Sequence, residues 1–159
     1  MAIIELDQKI KQAIQTWRER NYEGITSPVT QRLLKFWFRE EEHILPDGSR
    51  FEFWQCQREG IEALIYVYEI CRYQNLYDLA RGFLVGIPVD PTRDLWPKYC
   101  FKMATGSGKT LVMALAMVWQ YFNKIFGANN SVRYSNHFLL LAPNLIVLDR
   151  LWMGRRGQG

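Results

Sequence analysis

The sequence predicts an α/β fold, a parallel sheet that is incomplete in this chain and is preceded by an α-helical amino-terminal region. Three observations predict it. The stretch FKMATGSGKT, residues 101–110, sets two glycines, a lysine and a threonine between apolar runs. From Lys98 the chain reads strand, loop, helix, strand, helix, the order from which parallel sheets are built. Before residue 50, apolar residues recur at three- and four-residue intervals, the spacing of helices that bury one stripe. The expected division is therefore a helical region over 1–50 and a nucleotide-type domain over 51–159.

In order, Ile4 to Arg20 place Leu6, Ile10, Ala13, Ile14 and Trp17 on one helical face. Ser27 followed by Pro28 is a helix start, an N-cap acceptor and a residue whose missing N–H costs nothing there, and Leu33, Leu34, Trp37 and Phe38 supply the buried face. Glu40, Glu41 and Glu42 read as a solvated helix end. Asp47-Gly48 marks a turn leading into a short extended segment at residues 50–54. A third helix is expected from Gln57 to Tyr73. Between Gln74 and Pro97 two glycines and three prolines break the pattern, which predicts a loop or small insertion. KYCFKM then reads as a buried strand and TLVMALAMVWQYF as a helix apolar nearly all round, so it is expected to be covered on most sides. NHFLLLAP reads as a second strand, and NLIVLDRLWM begins another helix.

Composition excludes several classes. With 48% hydrophobic and 23% charged residues the chain has the makings of one core. The net charge of +4 is spread without a basic run longer than Arg155-Arg156, so it permits nucleic-acid contact without arguing for it. Cys56, Cys71 and Cys100 form no CxxC pair and His43 and His137 are far apart, which argues against a zinc site or a disulfide framework. The amino terminus lacks the apolar core of a secretion signal, and no run approaches the ~20 apolar residues of a membrane span. A cytoplasmic protein is expected.

The chemistry concentrates at residues 105–110. A loop that holds a triphosphate needs glycine at Gly106 and Gly108, because the backbone must curl until several amides, those of Thr105 and Ser107 among them, face one set of oxygens. Lys109 is then expected to reach the β and γ phosphates and Thr110 to offer its hydroxyl to Mg²⁺, with the positive end of the following helix adding to both. Met103 departs from the general pattern GxxxxGK[ST], which has glycine or alanine there.

With the loop read, MATGSGKT resembles motif I of superfamily 2 helicases, in the methionine-first variant common among restriction-enzyme motor subunits. CQREGIEAL, Cys56 to Leu64, resembles the upstream glutamine motif of that group, which implies that Gln57 reads the adenine edge; Gln55 is the alternative. LLLAPNLIVLDRL, Leu139 to Leu151, resembles motif Ia, which implies that Pro143 and Asn144 touch a nucleic-acid backbone. Together, over most of residues 28–151, the chain is similar to the motor (Res) subunit of type III restriction enzymes. That resemblance implies a RecA-like P-loop NTPase domain, ATP and Mg²⁺ as cofactors, double-stranded DNA as partner through the parent protein, and a modification methyltransferase subunit beside it.

After Thr110 there is no Asp-Glu pair, the motif II that holds Mg²⁺ and polarises the attacking water in the family; the last acidic residue is Asp149. The expectation is an amino-terminal fragment, cut short by a frameshift, a truncation or an artificial boundary, inactive as an enzyme and of marginal stability because its loop strand and apolar helix lack cover. Two other functions remain open at this stage: a non-catalytic nucleotide- or DNA-binding remnant, and a P-loop small-molecule kinase, against which stand the hundred or so residues before the loop.

Overall fold

The computed structural model describes residues 2–40, 43–90, 92–94, 96–127 and 133–141. Helix α1 (Ala2–Glu19) turns Leu6, Ile14 and Trp17 inward, with Glu5 in its first turn and Arg18 in its last, each suited to the helix dipole. The chain leaves it through Tyr22, a bulky residue at φ +60° whose N–H returns to the Trp17 carbonyl at 2.9 Å. Helix α2 (Pro28–Lys35) begins as its sequence predicts, with Pro28 at the first helical position and the Ser27 hydroxyl accepting the Thr30 N–H at 3.3 Å.

Both α2 and helix α3 (Gln55–Ile65) run on into one π-helical turn, over Phe36–Glu40 and Tyr66–Ile70. The extra residue in such a turn shifts the helical face, and the second turn carries Glu69 inward, where it is 5% exposed. Between these helices lies a hairpin, β1 (His43–Ile44) against β2 (Arg50–Phe51), antiparallel with His43 opposite Phe51. Its turn is closed by the Asp47 carboxylate, which accepts the Ser49 N–H at 2.9 Å, and by Gly48 at φ +80°.

The expected loop over 74–97 contains a helix, α4 (Leu76–Gly82). The Asn75 side chain accepts the Asp78 N–H at 2.8 Å, a cap strong enough to start a short helix among breakers. Helix α5 (Lys109–Phe126) follows the glycine loop.

The core joins the two halves of the chain. Trp17, Tyr22, Ile25, Leu34 and Trp37 from the first 50 residues pack with Ile61, Ile65, Leu115 and Trp119. Residues 1–50 and 51–127 therefore share one interior. At Gly60 α3 faces Val112 of α5 and the Phe101 ring, which a Cβ there would meet at ordinary contact distances of 3.4 Å and 3.5 Å.

Two sequence expectations are met only in part. The described residues are mostly helical, and the only sheet among them is the two-stranded antiparallel hairpin; no parallel sheet occurs among them. Residues 98–103 and 136–141 carry no ladder, because a strand exists only through a hydrogen-bonded neighbour and neither segment has one among the described residues. Phe101 packs on α3 without pairing, and Leu139 and Leu141 are 84% and 86% exposed. Helix α5, apolar nearly all round, is covered on one side and bare on the other, as expected where the rest of a sheet is lacking: it buries Val112, Leu115, Trp119 and Asn123, while Val118, Tyr121, Phe122, Ile125 and Phe126 stay exposed. Among the described residues no helix is long and apolar enough to cross a membrane.

Candidate nucleotide site

The loop before α5 curls at its two glycines. Gly106 has φ +80° and Gly108 φ +83°, ψ +35°, left-handed values that an L side chain adopts at a cost. At Gly106 a Cβ would meet nothing within 4 Å, so only backbone freedom requires glycine. Gly108 carries a second requirement, because a Cβ there would lie 2.3 Å from Gln57 Nε2.

Ser107, between them, is 7% exposed and turns inward; its hydroxyl donates to the Ala104 carbonyl at 2.7 Å and its N–H to the same oxygen at 3.3 Å. Gly108 caps α5, receiving at its carbonyl the N–H of Leu111 at 2.9 Å and of Val112 at 3.2 Å. The amides of Lys109 and Thr110 belong to the first turn, whose N–H groups have no intrahelical acceptor and point outward along the axis.

Lys109 and Thr110 are both exposed. Lys109 Nζ donates to the Met103 carbonyl at 3.0 Å and the Ala104 carbonyl at 2.8 Å, folding its ammonium back across the loop. Neutral carbonyls are weaker partners for an ammonium than phosphate oxygens, so these two bonds are exchangeable for an anion. Beside the loop a cleft of about 740 Å³ opens toward α1, with Arg18, Gln55, Ala104 and Ser107 among its walls.

Gln57 sits beneath the loop, 6% exposed. Its Oε1 accepts the Trp54 N–H at 3.0 Å and its Nε2 donates to the Ser107 carbonyl at 3.0 Å. Both ends of the amide are thus engaged inside the chain. Gln55, the alternative, is exposed and donates to Glu59 Oε1 at 2.7 Å.

The structure therefore brings Gln57 into contact with the loop and gathers Thr105, Gly106, Ser107, Gly108, Lys109 and Thr110 at one helix start. Pro143 and Asn144 lie outside the described residues. Trp54 was not singled out by sequence reading, since nothing in FWQCQ says which aromatic ring stays outside; the structure leaves its indole 59% exposed at the start of α3.

These residues fit a nucleotide triphosphate: the curl at Gly108 leaves no room for a Cβ, the helix start offers free amides, and a lysine stands at its first position. For a magnesium ion the loop offers the Thr110 hydroxyl. No cluster of three or more His, Cys, Asp or Glu suited to a metal occurs among the described residues.

A left-handed glycine curl feeding Lys-Thr at the head of a helix defines a phosphate-loop module. The chain matches the family described as "Type III restriction enzyme, res subunit" over residues 50–153, and it belongs to that family. It carries a helicase-like ATP-binding module of the Res-subunit kind, from a family of P-loop NTPases that use ATP and Mg²⁺ and interact with DNA. No curated protein and no solved structure matches the chain.

Proposed function

We propose that residues 51–159 are the first part of a RecA-like ATP-binding domain, with residues 1–50 as a helical region mounted on it. The chain is the ATP-binding amino-terminal part of a DNA helicase or translocase of the Res-subunit kind. The observation that carries this reading is the loop itself, where Gly106 and Gly108 take positive φ and Lys109 is held by two exchangeable carbonyl contacts.

On binding, Lys109 leaves Met103 and Ala104 for the β and γ phosphates, and the amides of residues 105–110 take the remaining oxygens. Thr110 would give its hydroxyl to Mg²⁺, and Gln57 supports the loop from below. Bound ATP supplies the phosphoanhydride whose hydrolysis the whole motor couples to movement on double-stranded DNA. Pro143 and Asn144 contact the DNA backbone, a modification methyltransferase subunit accompanies the motor, and the assembly is cytoplasmic. The 159 residues contain no Asp-Glu pair after the loop, so what these residues themselves supply is the binding of the nucleotide.

The test is Mg²⁺-ATP binding and ATPase rate, with and without duplex DNA, on this chain and its Lys109→Ala variant. Binding by the unaltered chain, weakened roughly tenfold or more by the loss of one charge-assisted phosphate contact, is expected, with no DNA-stimulated turnover. Unchanged binding by Lys109→Ala, or phosphate transfer to a small acceptor, would overturn it.

A further inference from the structure

The geometry points to a second anion site, apart from the phosphate loop, at which Arg18, Arg39 and Arg58 take backbone phosphates of duplex DNA. The three arginines are distant in sequence and come from α1, from the π-helical turn after α2, and from α3. They meet around one phenol. Arg58 Nη2 donates to the Tyr22 hydroxyl at 2.8 Å, and the Arg39 guanidinium lies over the Tyr22 ring, 5.2 Å from its centroid. Arg39 Nη2 also donates to the Arg18 carbonyl at 3.0 Å, while Arg18 and Arg58 both bind the buried Glu62 carboxylate and stand close enough to repel one another. Three positive charges thus face one negative charge. Glu19 and Glu59, on the same helices, turn instead to the amides of Gln15 and Gln55, at 3.1 Å and 2.7 Å.

A surplus of positive charge at a partly exposed surface draws anions, and guanidinium N–H groups in a planar fork match phosphate oxygens. Such groups are left over here. Nη1 of Arg18 and of Arg58, and Nε and Nη1 of Arg39, make no hydrogen bond among the described residues. Arg39 is exposed and pairs with no carboxylate among those residues. The kind of phosphate follows from the shape. Small ligands are held in concave sites that enclose them, and of the three arginines only Arg18 borders the cleft beside the loop, so that cleft does not gather them. Charge spread over three elements at an open surface suits a polyanion that repeats its phosphate at every residue, and such contacts position a strand without reading its sequence. Arg18 and Arg39 lie outside the family match, so the amino-terminal helices bring this contact to the family domain.

The experiment is fluorescence anisotropy of a short labelled DNA duplex titrated with the full chain at several salt concentrations. The unaltered chain should bind, with an affinity that falls as salt rises. Arg39→Gln should weaken binding by roughly fivefold on duplexes of different sequence and lower the slope of log affinity against log salt by about 1. Arg39→Lys keeps the charge and should keep the slope. Both variants should retain the circular dichroism of the unaltered chain, since Arg39 is exposed and gives up one hydrogen bond. Inorganic tripolyphosphate at matched ionic strength should not displace the duplex, a comparison that needs no variant. Displacement by tripolyphosphate would mean that a compact free anion occupies the site, and the proposal would fall. Absence of duplex binding at low salt, an unchanged affinity and slope in Arg39→Gln, or an equal loss in Arg39→Lys would overturn it too. None of these measurements uses ATP, so the result is independent of whether the loop holds a nucleotide.

Discussion

Arg18 of α1 and Glu62 of α3 meet as a fork: the guanidinium Nε lies 3.2 Å and 3.1 Å from the two carboxylate oxygens, and Nη2 closes on Oε2. Glu62 is fully buried and also receives Arg58 Nε at 2.9 Å and the Tyr22 hydroxyl at 2.6 Å. One carboxylate answers two guanidiniums, each about a quarter exposed, at 25% and 28%. Arg18 lies outside the family match and Glu62 inside it, so this bond fastens the amino-terminal helix to the family domain.

The asymmetry of that cluster sets the first prediction. Glu62→Ala should cost about 3 kcal/mol, since it leaves two cations and a phenol without their common partner. Arg18→Ala should cost about 1 kcal/mol, because Glu62 keeps Arg58 and Tyr22 and the lost cation was partly in water. Urea midpoints of the two variants measure the difference; equal losses would mean that the carboxylate is not the hub.

Tyr22 makes the same cluster sensitive to alkali. Burial first, and then its hydrogen bond to Glu62, push its pKa from 10.0 up to about 12. A folded pKa above the unfolded one means that the native state holds the proton more tightly. The stabilisation is complete below pH 10 and is lost as pH rises toward 12. Tyr134, half-buried beside Glu69, is shifted in the same direction and adds to the loss. Stability against urea should fall between these pH values, and Tyr22→Phe should flatten the fall. A stability independent of pH across that window would contradict the clasp.

Thr30 is the second hub. Its hydroxyl accepts Trp119 Nε1 and Asn123 Nδ2, both at 3.0 Å, and donates to Glu69 Oε2 at 2.7 Å. Glu69 in turn accepts the Ser27 N–H at 3.2 Å, which supplies from α3's extension a carboxylate for the start of α2. Thr30→Val keeps the shape but leaves the Trp119 N–H without its partner, while Asn123 Nδ2 keeps the Trp119 carbonyl and Glu69 Oε2 keeps the Tyr134 hydroxyl; it should cost about 2 kcal/mol, whereas Thr30→Ser should cost under about 1 kcal/mol. Thermal unfolding followed by circular dichroism compares them. A lower midpoint for Thr30→Ser than for Thr30→Val would show that the γ-methyl, not the hydroxyl, matters.

Much of this architecture was legible because it rests on local chemistry. Ser27-Pro28 placed the start of α2, Asp47-Gly48 placed the hairpin turn, and Gly106, Gly108, Lys109 and Thr110 placed the loop, each through a residue whose own backbone or side chain imposes the geometry. Asn75 with Asp78 carried the same kind of signal for α4, and the glycines and prolines around it hid that signal. The sheet was not legible, because alternation and apolar runs state that a segment suits a strand and cannot state that a neighbour is present. The Gln57 contact was half legible: its place before Ile61 marked the residue, but its orientation depends on Ser107, fifty positions away. The buried partners Arg18 with Glu62 and Thr30 with Asn123 left no pattern in the sequence, since their pairing is fixed only by how the helices cross.

The bare side of α5 has a measurable consequence. Tyr121, Phe122, Ile125 and Phe126 are each at least 40% exposed, and the run from Phe138 to Leu141 adds further apolar surface. Uncovered apolar area of this kind favours association in water. The chain should scatter light increasingly with concentration and bind a hydrophobic dye, and Phe122→Lys with Phe126→Lys should reduce both without lowering the unfolding midpoint. A monodisperse monomer at all concentrations would contradict it.

Gly106 and Gly108 separate the two reasons for glycine in the loop. Alanine at Gly106 meets only the left-handed backbone penalty and should cost about 1 kcal/mol. Alanine at Gly108 meets the same penalty and also drives a methyl against the buried Gln57 amide, 2.3 Å away. That amide is tied at both ends, so it moves only by giving up a hydrogen bond, and the total should reach about 3 kcal/mol. Gln57→Ala on its own removes the same bonds. In the double variant the clash is gone, and the two losses should add to less than their sum by about 1 kcal/mol, the coupling expected of residues in contact. Denaturant midpoints of the four proteins close the cycle. Strict additivity would mean that Gln57 does not lie under Gly108, and with that the positioning role of its amide would be lost.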